Sequence, residues 1–113
     1  MHELGLADAM IKMMDKILDE EEMTGANKVV LEIGELSGVV PKFMEDCWQA
    51  VISGTRYQDT YLQLEIVPGI ARCLDCGEDF RAVETDFKCP VCKGQKLMPL
   101  SGKDMTIKEI EAY

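Results

Sequence analysis

No apolar run in this 113-residue chain approaches the roughly 20 residues that a membrane helix needs. Basic residues are scarce: 12 Lys and Arg stand against 21 Asp and Glu, for a formal net charge of −9. A nucleic-acid backbone would be repelled before specific contacts formed, so a general nucleic-acid binder is excluded. Histidine is almost missing. His2 stands alone, which removes any site that needs two imidazoles from this chain. The start, Met1-His2-Glu3, lacks a basic stretch followed by an apolar core, so no secretory signal is expected and a cytoplasmic setting is.

Against these absences stand five cysteines. Four form two pairs, Cys73-Leu74-Asp75-Cys76 and Cys89-Pro90-Val91-Cys92, separated by the 12 residues from Gly77 to Lys88. An odd count without a signal peptide points to a reducing compartment and to thiolates used for metal. Each pair can form a tight knuckle, and two knuckles close a tetrahedron of sulfurs. Zinc suits such a set, because it binds soft thiolates well and has no geometric preference that four sulfurs violate. Four thiolates leave no open position, so the site is expected to be structural. Gly77 supplies a backbone turn with positive φ, and Gly94 is expected to do the same for the second knuckle. Two disulfides, a redox pair and rubredoxin-like iron are the competing readings.

The rest of the chain reads as an α+β domain. Leu6, Met10, Met13, Met14, Ile17 and Leu18 give a helical face over residues 6–22. Its acidic end, Asp19 to Glu22, opposes the helix dipole, and the last turn is expected to fray. Val29, Leu31 and Ile33 predict a strand over 28–36. Pro41 opens a second helix carrying Met44, Cys47, Trp48, Val51 and Ile52, with Gly54 as its cap. Leu62, Leu64 and Ile66 give a second strand, closed by Pro68-Gly69. Met105, Thr106 and Ile107 begin a last one. The first two strands are expected to pair in parallel, and the last to lie beside its predecessor. The expectation is two helices packed on a small three-stranded mixed sheet, with an inserted four-cysteine, zinc-ribbon-like module at 70–98. So short a piece cannot bury enough surface to fold without metal.

The N-terminus offers a second donor set. The Met1 amine, the His2 backbone nitrogen and the His2 imidazole can wrap one ion in fused chelate rings, favouring the square-planar geometry of Ni(II) or Cu(II). The Glu3 backbone nitrogen or carboxylate can complete it. On its own the motif is weak, since an exposed terminus often begins this way by accident.

Taken together, Met1-His2-Glu3-Leu4, the stretch Leu31-Glu32-Ile33-Gly34-Glu35-Leu36-Ser37-Gly38-Val39, the spaced cysteine pairs and Ile107-Lys108-Glu109-Ile110-Glu111 resemble the HypA/HybF family of hydrogenase maturation nickel chaperones. The resemblance runs over nearly the whole chain. It implies a nickel-binding domain at 1–69 and 99–113 interrupted by a zinc domain at 70–98. It places nickel on His2, with Met1 and Glu3 in support, and zinc on Cys73, Cys76, Cys89 and Cys92. It implies delivery to the large subunit of [NiFe]-hydrogenase with the accessory GTPase HypB, urease maturation proteins as a further partner, and no enzymatic activity of its own. In this family some members add a second histidine from the zinc domain, which this chain lacks. A homodimer, including a strand-exchanged one, stays open. Cys47 and the methionines read as core packing. The rivals are a zinc-ribbon interaction module without nickel function and a thiol oxidoreductase.

Overall fold

The computed structural model describes residues 3–113, so the nickel assignments on Met1 and His2 lie outside it. Helix α1, Glu3–Glu20, precedes strand β1, Ala26–Gly34; helix α2, Pro41–Ile52, leads to β2, Tyr61–Val67. The cysteine-bearing stretch holds β3, Ile70–Cys73, β4, Asp79–Arg81, a 3-10 turn at Ala82–Thr85 and β5, Leu97–Pro99; β6, Met105–Ala112, closes the chain. The chain divides into two compact units. One is Met1–Leu31, Val39–Glu65 and Thr106–Tyr113, and the other is Glu32–Gly38 and Ile66–Met105.

In the first unit α1 and α2 pack on each other. Ala7, Met10, Met14 and Leu18 recur at helical spacing on the buried face of α1, and Met44, Trp48 and Ile52 on that of α2. Helix α1 starts three residues earlier than its apolar periodicity suggests and stops at Glu20. It ends in a closed turn: Met23 N–H bonds the Leu18 carbonyl at 2.8 Å and Glu22 N–H that of Asp19 at 3.3 Å. Glu22 takes the left-handed conformation, φ 57°, that glycine usually fills in this motif. Tyr57, fully buried, donates its hydroxyl to Asp15 at 2.7 Å, and Arg56 bonds Asp15 and Asp19, tying the α2–β2 connection to α1.

The main sheet has the order β2-β1-β6. It is mixed. Gly34 N–H bonds Asp104 and Tyr113 N–H bonds Gly25, an antiparallel sense for β1 and β6. The Thr60 hydroxyl meets the Ala26 carbonyl and Glu35 N–H meets Val67, a parallel sense for β1 and β2. The last strand therefore lies beside the first, not beside its predecessor as the sequence suggested. Burial explains the exchange. Val29, Val30 and Leu31 are apolar on both faces and 0–3% exposed, which fits a central strand. Lys108, Glu109 and Glu111 suit β6 to an edge, where charge discourages further pairing. Lys108 pairs with Glu65 of β2 at 2.9 Å.

The second unit holds a three-stranded antiparallel sheet, β4-β3-β5. None of its strands exceeds four residues, too short for periodicity to announce. Arg72 and Asp79, cross-strand partners, form a two-pronged ion pair.

Candidate metal centre

Strand β3 ends on Cys73, and the chain turns back at once: Gly77 N–H bonds the Cys73 carbonyl and Cys73 N–H bonds that of Glu78, both at 2.8 Å. The second pair repeats the design, with Lys93 N–H on the Cys89 carbonyl at 3.0 Å and Cys89 N–H on that of Gly94 at 2.9 Å. Each knuckle needs a left-handed residue one place after its second cysteine. Gly77 fills the first (φ 81°), and Lys93 the second (φ 64°). The expected role of Gly94 thus passes to Lys93. Gly94 serves clearance instead: a Cβ there would sit 2.7 Å from Asp75 Oδ2 and 3.2 Å from Cys92 Sγ.

The four Sγ atoms lie within 4.8 Å of one another, with Cys73–Cys92 and Cys76–Cys89 each at 3.5 Å. Zn–S bonds of about 2.3 Å imply sulfur separations of about 3.8 Å in a regular tetrahedron. The cluster is therefore consistent with a zinc site. Both of these close pairs join one knuckle to the other, so the two CxxC turns share a single cluster. Cys73 and Cys89 are buried with Ala71, Phe80 and Ala82, against which Leu36 and Leu97 pack, while Cys76 and Cys92 face solvent.

Electrostatics favours a cation here. Burial works to raise the Cys89 thiol, but N–H groups of Cys92 and Val91 and the nearby thiols outweigh it and hold it low. At Cys76 the Glu78 N–H favours the thiolate, yet crowding by the Cys89, Cys92 and Cys73 sulfurs and lost hydration push it up. Four adjacent thiolates cannot ionise together without a positive charge between them, and a metal supplies it.

The Gly34–Gly38 motif supports this unit. A Cβ on Gly34 would lie 2.0 Å from the Gly102 carbonyl oxygen, so backbone meets backbone. Glu35 accepts the Gly69 N–H at 2.8 Å and Arg81 Nε at 3.0 Å through Oε1, and Arg81 Nη2 through Oε2. The Arg81 guanidinium and the Gly69 N–H hold this carboxyl at about 2, below its ordinary 4.5. A depressed carboxylate stabilises the fold fully above its ordinary pKa and loses that contribution as pH falls through the lowered value. The destabilisation caused by Glu35→Gln is therefore expected to be largest above about pH 4.5 and to shrink toward pH 2, measured as a difference in denaturation midpoints. The sequence singled out this motif without revealing that Glu35 is paired to Arg81.

Glu3 sits in the first turn of α1 and is 4% exposed. Its Oε2 accepts the Val40 N–H at 3.2 Å. The sequence offered Glu3 as a metal donor and gave no sign of this bond. Cys47 is half-buried on α2, and Met10, Met14 and Met44 are core; Met13 is 53% exposed, against its expected packing. Among the described residues the four cysteines form the one cluster of three or more potential metal ligands.

Residues 1–112 match the family described as hydrogenase/urease nickel incorporation, metallochaperone, hypA. Relatives named Hydrogenase maturation factor HypA include one from Dechloromonas aromatica, 35% identical with 98% of each chain covered, and one from Rhodopseudomonas palustris, 34% identical with the same coverage. The solution structure of the Ni metallochaperone HypA from Helicobacter pylori shares the fold, with a TM-score of 0.70 and 19% identity over 99% of this chain and 97% of that one.

Proposed function

Because the chain belongs to the HypA family of hydrogenase/urease nickel incorporation metallochaperones, we propose that it carries Ni(II) on its first residues and gives it up by ligand exchange within a protein complex. His2 supplies an imidazole and a backbone nitrogen, Met1 its amine, and Glu3 supports them. These donors belong to residues 1–69 and 99–113, and zinc to residues 70–98. Cys73, Cys76, Cys89 and Cys92 would hold zinc, whose chemistry there is structural: it fixes two knuckles and neutralises thiolate charge. The recipient is the large subunit of [NiFe]-hydrogenase, served together with the accessory GTPase HypB, with urease maturation proteins as further partners, in the cytoplasm. A homodimer is compatible with this role.

What supports the reading most is the separation of two donor chemistries within one family match that begins at residue 1. Soft sulfurs are gathered in one cluster, while the single histidine stands beside Met1. Nickel bound by few protein donors is held loosely enough to leave, which a carrier requires. Protonation of His2, whose ordinary pKa is about 6.5, releases it in acid.

The amine is tested by adding one residue before Met1. Calorimetric titration of nickel into zinc-loaded protein is expected to show most of the affinity lost in the extended form. Equal affinity for the native and extended forms would remove the Met1 amine from the ligand set.

A further inference from the structure

Helix α2 starts without the usual means of capping. Its N-cap is Val40, whose apolar side chain makes no capping bond, and Pro41 follows at the first helical position. In a capping box, a Glu three residues into the helix reaches back to the N-cap N–H. The corresponding residue here is Phe43, which has no acceptor. The Val40 N–H is instead met by Glu3 Oε2, 37 residues away in sequence. This carboxylate is also the one charged side chain among the buried residues of the described chain, at 4% exposure. A carboxylate in that place also complements the positive end of the α2 dipole.

We infer that Glu3 is a positioning residue: its carboxylate caps α2 from the start of α1 and so anchors the segment carrying Met1 and His2 to one place. This rests on the proposed nickel site and deepens it. Neighbouring donors bound to an anchored chain lose less freedom on wrapping an ion, so the anchor strengthens binding without its carboxylate being a donor. Its working atom is an acceptor oxygen, which a glutamine amide also provides.

The test uses full-length, untagged, zinc-loaded protein and three variants. Hydrogen exchange at the Val40 amide, measured by NMR without nickel, is expected to quicken at least about tenfold in Glu3→Ala, as loss of a cap worth about 1.4 kcal/mol requires. It is expected to stay slow in Glu3→Gln. Nickel titration is expected to show affinity reduced about tenfold in Glu3→Ala and restored in Glu3→Gln, with one unchanged nickel absorption spectrum in wild type and Glu3→Gln. Unaltered Val40 exchange in Glu3→Ala would overturn the cap. Slow Val40 exchange in Glu3→Gln, joined to nickel loss as deep as in Glu3→Ala, would show the carboxylate acting as a ligand and overturn the positioning role. His2→Ala separates the two layers: undiminished nickel binding there removes the N-terminal site, while the exchange results still decide the cap.

Discussion

Replacing Cys73 with Ser is expected to abolish zinc binding and to unfold the cysteine-bearing unit while leaving the other unit folded. Cys73 is the most consequential of the four sulfurs to test, because it ends β3, is 1% exposed and packs with Phe80 and Ala82. Its knuckle and its strand are thus lost together. The strands of this unit are three or four residues long, and its buried cluster is built largely from alanines and cysteines. Apolar burial on that scale does not offset the entropy of ordering some forty residues. Metal binding is expected to supply the difference, on the order of 10 kcal/mol by analogy with zinc peptides. Zinc content by metal analysis is expected to fall to near zero, with rapid proteolysis between residues 70 and 105. Trp48, the single tryptophan, is fully buried in the first unit, and its emission is expected to keep its folded position. Full zinc retention in Cys73→Ser would contradict the four-sulfur site.

His2→Ala is expected to cost nickel affinity by roughly 100-fold or more, beyond the 10–100-fold typical of losing an outer partner of a metal ligand. The substitution removes the only imidazole in the chain, so no neighbouring histidine can take its place. Zinc content and thermal unfolding are expected to stay as in the parent protein, because the sulfur donors lie in a different compact unit. Calorimetric titration of nickel into both zinc-loaded proteins measures the difference. The result also separates a nickel carrier from a bare zinc-ribbon interaction module, which would show the same weak binding in both.

Much of this architecture is written in local pattern. Helix α2 runs from Pro41 to Ile52, followed by Gly54 at φ 76°, because a proline start, an apolar stripe and a glycine stop are all short-range signals. The metal cluster was equally legible, since two CxxC turns dictate where four sulfurs point. What was hidden depends on long-range choice. Strand order turned on which strand could be buried on both faces, and the uninterrupted Val29-Val30-Leu31 was the available clue. The partners of Glu3 and Glu35 lie 37 and 46 residues away, so nothing in their neighbourhood announces them. Lys93 in a left-handed turn was hidden because Gly94, one place on, is the residue that composition favours. Strands β3, β4 and β5 are three or four residues long, too short for a period of two to declare itself.

In the proposed site, nitrogen donors at Met1 and His2 grip nickel while the sulfurs stay committed to zinc. Nickel-edge X-ray absorption on zinc-loaded protein with its native start tests it most directly. A low-coordinate shell of nitrogen and oxygen donors with imidazole scattering and no sulfur is expected. A shell dominated by sulfur, with zinc displaced, would contradict it.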